Sequence, residues 1–247
     1  MRFFTVLTGF DTIKSYKTEG ALIMKEKRLL LTGIILILVF IIWTALIRTV
    51  DIQPVGVNGT DVGFATLNRS FHNLTGVNMI IYHITDWLGL VPIFCCVIYG
   101  VVGFVQLIKR KSLLKVDIDI LLLGVYYVIV IFGYLIFEMI TINYRPILID
   151  GIMEVSYPSS TTLLVLSVMP TVSFQVDRRI RNRAVRKIIT LSAILFSLFM
   201  LIGRTIAGVH WLTDIIGSII LAMGLYLIYY SGVLLFDKKR RGYSGIQ

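Results

Sequence analysis

Gly203-Arg204-Thr205-Ile206-Ala207-Gly208-Val209-His210-Trp211-Leu212-Thr213-Asp214 separates two long apolar runs, Ile188–Arg204 and Trp211–Phe236. Nowhere else in the chain do an Arg, a His and an Asp fall together between such runs. If a helix begins near Val209, His210 and Asp214 stand one turn apart on the same face, and the carboxylate can reach an imidazole nitrogen and hold it oriented. Arg204 closes the preceding helix and adds a fixed positive charge. A base or nucleophile, its orienting acid and an anion clamp make a catalytic proposal rather than a packing pattern.

Working outward, the medium follows from composition. Of 247 residues, 57% are hydrophobic and 15% charged, the mean hydropathy is +0.86, and the apolar residues come in unbroken blocks. The chain is therefore read as an integral membrane protein. Runs at about Leu29–Ile47, Trp87–Ile108, Asp119–Phe137, Ser160–Phe174, Ile188–Arg204 and Trp211–Phe236 predict an all-α, polytopic six-helix bundle over residues 29–236. Pro170 is predicted to kink or end the fourth run, because proline lacks a backbone donor and clashes with the preceding turn.

The net charge of +10 resides in short clusters beside the apolar runs: before Leu29, in Lys109–Lys115, in Arg178–Lys187 and in Lys238–Arg241. Such clusters set orientation and meet anionic headgroups, which argues against a nucleic-acid partner. All fall on one side of a six-span arrangement, read as cytoplasmic. Both termini then lie inside, as a cytoplasmic N-terminal segment (residues 1–28) and a basic tail (residues 237–247). Met24-Lys25-Glu26-Lys27-Arg28 has the basic character of a membrane-protein start, and residues 1–23 read as an over-extended start or a flexible tail. The outer loops are Arg48–Asp86, Glu138–Ser159 and Thr205–His210, in a multi-pass protein of the plasma membrane. Three glycosylation-type sequons at Asn58, Asn68 and Asn73 carry little weight. His72 and His83 read as interfacial or hydrogen-bonding residues, no metal or cofactor is called for, and the adjacent Cys95 and Cys96 read as packing residues.

Two outer loops carry further polar residues. Arg145 precedes the helix-breaking Pro146, and a bland reading makes it a snorkelling interfacial residue. Pro158-Ser159-Ser160-Thr161 opens the fourth run; Ser and Thr are routine caps there, and the same helix start suits a phosphate. Predicted at one surface, Arg145, the Ser159–Thr161 start, Arg204, His210 and Asp214 together point to phosphoryl transfer without a required metal.

These motifs resemble the type 2 phosphatidic acid phosphatase superfamily, which includes undecaprenyl-pyrophosphate phosphatases, glucose-6-phosphatases and vanadium haloperoxidases. Its signatures read K-x6-R-P, P-S-G-H and S-R-x5-H-x3-D. The third is matched at Arg204, His210 and Asp214, with Gly203 for the leading Ser. The first keeps Arg145-Pro146 but has Glu138 for Lys, and the second keeps Pro158-Ser159 but has Ser160 for Gly and Thr161 for His. The resemblance spans about residues 85–236 and implies a six-helix bundle with an extracytoplasmic site. It makes His210 the nucleophile that forms a phosphohistidine and Asp214 its orienting acid, with Arg145, Ser159, Ser160 and Arg204 around the phosphoryl oxygens.

The resemblance also leaves the general-acid role at Thr161 unfilled, since a hydroxyl is far too weak an acid. A phosphate leaving from a pyrophosphate needs less protonation than an alkoxide leaving from a monoester, which favours a lipid pyrophosphate such as a polyprenyl pyrophosphate. Glu138 or Glu154 are the substitute acids to consider, although Glu138 has a competing reading as the ion-pair partner of Arg145. The alternative function is a catalytically silent relative that binds or presents anionic lipids. A third reading leaves all these residues merely interfacial. Halide oxidation is disfavoured because it also uses the missing His.

Overall fold

A computed structural model describes the backbone of residues 2–244 and the side chains of residues 24–238. It contains α1 (Arg2–Ile47), α2 (Ala65–Thr75), α3 (Met79–Leu88), α4 (Leu90–Arg110), α5 (Ile118–Met139), α6 (Ser160–Arg179), α7 (Arg183–Ile206) and α8 (Leu212–Ser244). Among the described residues, five stretches are long and apolar enough to cross a bilayer: Met24–Ile47, Met79–Arg110, Ile118–Met139, Arg183–Ile206 and Leu212–Lys238. Their outer faces expose Leu31, Ile34, Leu38, Val101, Phe104, Phe132 and Leu195, an apolar surface that lipid covers and water would not tolerate. The protein is a multi-pass, all-helical membrane protein.

Three expectations about these runs need correction. The second run begins at Met79 rather than Trp87: Asn78 caps α3 by accepting the Ile81 N–H at 3.1 Å, and α3 and α4 join at Gly89 into one span. Asp86, expected in a loop, is therefore helical. The fourth run neither ends at Pro170 nor reaches the apolarity of the other spans. α6 continues to Arg179 and packs against α4, α5, α7 and α8, so its partners are protein rather than lipid.

That position explains its polar side chains. The Tyr126 hydroxyl of α5 donates to Ser167 O at 2.9 Å, Tyr127 bonds the Thr171 hydroxyl at 2.7 Å, and Gln175 donates to the Tyr229 hydroxyl of α8 at 2.7 Å. These polar groups of α6 find partners on neighbouring helices. At the far end of α6, Arg178 and Arg179 pair with the buried Asp119 of α5 at 3.2 and 2.6 Å, and Arg178 also pairs with Asp237 of α8 at 2.7 Å.

α1 lies along α8, where Gly33 and Gly224 permit the approach: a Cβ on Gly33 would stand 2.9 Å from Gly224 O. The expected segment boundaries at residues 28 and 237 fall inside α1 and α8. The side chains of residues 1–23 and of the basic tail beyond Lys238 lie outside the described residues. Asn68 is no open sequon. It is fully buried, donating to Gly63 O at 2.8 Å and Thr213 Oγ1 at 3.0 Å, while its own oxygen accepts the Thr213 N–H at 3.2 Å. α2 thereby ties down the start of α8.

Candidate active site

The site is assembled from three chain segments at one end of the bundle, with α3 packed against them through Tyr82 and Asp86. The first is the α7–α8 connection. α7 ends at Ile206, one helical half-turn after Arg204, and Gly208 follows with φ +67. A Cβ at Gly208 would fall 1.9 Å from Gly76 O, so both the backbone conformation and the lack of space demand glycine. The chain then presents His210 from the loop, and α8 starts at Leu212 rather than near Val209. Asp214, in the first turn of α8, reaches back to accept the Trp211 N–H at 3.0 Å, the acidic half of a capping box.

The second segment is a hairpin between α5 and α6. Tyr144 bridges Val155, Ile149 bridges Ile152, and Asp150-Gly151 turn the chain with positive φ at both residues. The Ser156 N–H donates to Asn143 O at 2.9 Å and the Arg145 N–H to Glu154 O at 3.0 Å. This register sets Asn143 opposite Ser156 and Arg145 opposite Glu154. The Trp211 indole fastens the hairpin by donating to Tyr144 O at 2.8 Å. The third segment is the start of α6, where Ser218 of α8 donates to Ser159 O at 3.0 Å and to Asp214 O at 2.9 Å.

Asp214 does not touch the imidazole directly, as the one-turn spacing had suggested. The link runs through Ser156, whose hydroxyl donates to Asp214 Oδ2 at 2.5 Å and stands 3.0 Å from His210 Nδ1. His210 Nδ1 also lies 3.0 Å from Ser156 O. A carbonyl can only accept, so Nδ1 carries the proton and Nε2 presents its lone pair. Asn143 donates to the other carboxylate oxygen, Asp214 Oδ1, at 3.2 Å. Asn143 and Ser156 are the members that sequence reasoning missed; the Asp150-Gly151 turn is the signal that predicts the hairpin joining them.

His210 Nε2 accepts from Arg204 Nη2 at 3.1 Å. Arg204 is 1% exposed, and its guanidinium and that of Arg145 lie over the Tyr82 ring at 5.1 and 5.8 Å. Arg204 Nη1 faces Asp86 Oδ1 at 3.6 Å, and Arg145 pairs with Glu154 at 3.0 Å rather than with Glu138. Glu138 is exposed at the last turn of α5, so the hairpin has drawn Arg145 to its cross-strand neighbour instead. Nε and Nη1 of both arginines are buried without a hydrogen-bond partner among the described residues. Four orphan donors on two buried cations are what a tetrahedral anion would satisfy.

The start of α6 is close by but differently used. Ser159 occupies the cap position without capping; its hydroxyl bonds Thr162 Oγ1 at 3.0 Å, which leaves the first turn without a side-chain cap. Ser160 and Thr161 line an apolar cavity of about 470 Å³ between α4, α5 and α6, and Asp86 lines it too. A second cavity of about 570 Å³ between α4 and α5 shares Cys96 and Tyr127 with the first and extends to Leu113 and Val116. His72 packs against the Trp211 ring at 5.6 Å, and burial lowers its pKa.

Burial drives the His210 pKa well below its usual range, with the positive charges of Arg145 and Arg204 acting in the same direction and the Ser156 carbonyl opposing them. The imidazole is thus held neutral, the form a nucleophile needs. Below about pH 6.5 the unfolded chain takes up a proton that the folded site refuses, so stability is full above that pH and falls on acidification, by at most about 1.4 kcal/mol per pH unit. Thermal unfolding between about pH 7.5 and pH 5 is expected to fall more steeply for wild type than for His210→Gln. Parallel curves would show that His210 titrates freely in the folded protein.

Residues 134–237, from the last turns of α5 into α8, match the model of the PAP2 superfamily. Among solved structures the fold is similar to that described as the first transmembrane PAP2 type phosphatidylglycerolphosphate phosphatase from Bacillus subtilis. The TM-score is 0.57 at 18% identity, over 84% of this chain and 96% of that one. No curated protein matches.

Proposed function

We propose, from the premise that residues 134–237 form a PAP2-superfamily core, that the protein is a membrane lipid phosphatase working through a phosphohistidine at His210. The observation that carries this reading is the set of buried, unpartnered guanidinium donors on Arg145 and Arg204 beside an imidazole whose lone pair is fixed at Nε2. A phosphoryl group bridging the two arginines would satisfy those donors and put phosphorus beside Nε2. Attack forms the N–P bond as the bond to the leaving oxygen breaks. The positive charge gained by the ring is stabilised by Ser156 and, through it, by Asp214. Ser159 and Ser160 bring the uncapped start of α6 to the same anion.

The substrate favoured is a lipid pyrophosphate with a long single tail, such as a polyprenyl pyrophosphate. Two features support this. Thr161 supplies no proton to a leaving alkoxide, a handicap that matters less when the leaving group is itself a phosphate. The cavity beside Ser160 and Thr161 is apolar, and a second apolar cavity between α4 and α5 has Cys96 and Tyr127 in its wall as well. The structural relative is by name a phosphatase of phosphatidylglycerolphosphate, so that lipid belongs among the compounds tested.

The reading places six helices across the plasma membrane, with α6 enclosed by the others, both termini in the cytoplasm and the site on the outer face. The basic clusters Lys109–Lys115 and Arg178–Lys187, at helix ends away from the site, support that orientation. Thr161 also favours a second reading, a silent relative that binds anionic lipid without turnover.

Phosphate release by the purified protein from polyprenyl pyrophosphate, phosphatidic acid and phosphatidylglycerolphosphate separates these readings. Faster release from the pyrophosphate is expected. Equal rates would defeat the leaving-group argument, and lipid binding without any release would select the silent relative.

A further inference from the structure

Forming a phosphohistidine is half of a turnover. The phosphoryl group must next pass to water, and that water must lose a proton on the side of phosphorus away from His210 Nε2. Glu154 is held by Arg145 at 3.0 Å, a closer pair than the 3.6 Å between Asp86 and Arg204, and Glu138 is exposed at the end of α5. The Thr161 hydroxyl is no base. One carboxylate remains at the mouth of the site, and neither the sequence motifs nor the family match assigns it a role.

That carboxylate is Asp86, on the last turn of α3. Arg204 stands between it and His210: one terminal nitrogen of the planar guanidinium, Nη2, lies 3.1 Å from His210 Nε2, and the other, Nη1, lies 3.6 Å from Asp86 Oδ1. An anion gripped by this fork has the imidazole at one flank and the carboxylate at the other. The exposures differ in the sense the chemistry needs. The Arg204 side chain is 1% exposed and that of Asp86 is 55%, so Asp86 is open to its surroundings while the arginine is enclosed. The position of Asp86 is fixed by backbone. Its carbonyl accepts the Gly89 N–H at 3.0 Å, and Gly89 sits so close to α6 that a Cβ there would come within 3.2 Å of Thr161 Cγ2. Asp86, Gly89, Ser160 and Thr161 together line one cavity.

We propose that Asp86 is the general base that activates water for hydrolysis of the phosphohistidine, an assignment that rests on the phosphatase reading above. Water oxygen attacks phosphorus and one of its protons passes to the Asp86 carboxylate. The N–P bond breaks, its electron pair returns to His210 Nε2, and inorganic phosphate departs. The proton on Asp86 then returns to solvent through its exposed face. Departure of a lipid phosphate in the first step needs little protonation, so a carboxylate at this position serves the second step without hindering the first.

The test uses full-length Asp86→Asn and Asp86→Glu beside wild type, with polyprenyl pyrophosphate labelled on its terminal phosphorus and an alkaline quench to preserve any N–P bond. Asp86→Asn is expected to release one burst of lipid monophosphate per enzyme and to hold the label as phosphoprotein. Its steady release of inorganic phosphate should fall by about 10²–10⁴-fold, the range of a positioned acid–base group. Asp86→Glu should recover part of that rate and hold less label. Asp86→Asn that turns over like wild type, or that loses turnover without accumulating phosphoprotein, overturns the assignment and leaves the phosphatase reading intact. Wild type that releases no phosphate from any lipid overturns both.

Discussion

His210→Ala is expected to lower phosphate release by about 10⁴-fold or more and to abolish labelling of the protein, because the atom that bonds to phosphorus is gone. The substitution also removes the acceptor of Arg204 Nη2, on a cation that already carries two unpartnered buried nitrogens. Leaving a further buried donor unpaired costs about 1–3 kcal/mol, so some loss of stability accompanies the loss of turnover. His210→Gln separates the two effects. Its amide nitrogen can still donate to Ser156 O, yet it offers no nucleophile. Phosphate release and phosphoprotein labelling, measured on folded samples of both variants, decide the matter: turnover surviving in His210→Gln would remove His210 as nucleophile.

Arg204→Lys, which keeps the charge, should lower turnover by about 10²–10³-fold. The arginine meets three partners at once: Nη2 on His210, Nη1 toward Asp86, and its flat face over Tyr82 at 5.1 Å. An ammonium is a point charge on a flexible stem and cannot hold imidazole, anion and carboxylate in one plane. The expected signature is a fall in kcat together with a rise in KM, since the same fork binds the anion in the ground state. A rise in KM with kcat unchanged would show that Arg204 binds ground state and transition state equally.

Much of this arrangement was legible in the residues themselves. The spacing of Arg204, His210 and Asp214 between two apolar runs points to residues that the fold brings together at the candidate site, and hydropathy marks the helices that face lipid. The errors have local causes. His210 and Asp214 were placed on one helix, whereas Gly208 holds His210 in a loop and leaves room for Ser156 between imidazole and carboxylate. Helical spacing says nothing of a third residue arriving from a hairpin more than fifty positions away. Arg145 took Glu154 rather than Glu138 for the same reason: two-residue strand pairing decided the partner, not helical reach. Asp86 was hidden because the hydropathy of the second run rises only near Trp87, although the helix is already formed from Met79. α6 looked short because its serines, threonines and Gln175 dilute the apolar signal, and those residues are polar because other helices enclose them.

The cavity beside Ser160 and Thr161 bears on how the protein would meet its substrate. Leu90, Ile93 and Ile131 line it and are also exposed on the outer faces of α4 and α5, so its wall is continuous with the surface that touches lipid. A tail entering there would slide in sideways from the bilayer without leaving hydrocarbon. Encounter then becomes a two-dimensional search, and the concentration that saturates the enzyme is a mole fraction of lipid in the membrane rather than a molarity in water.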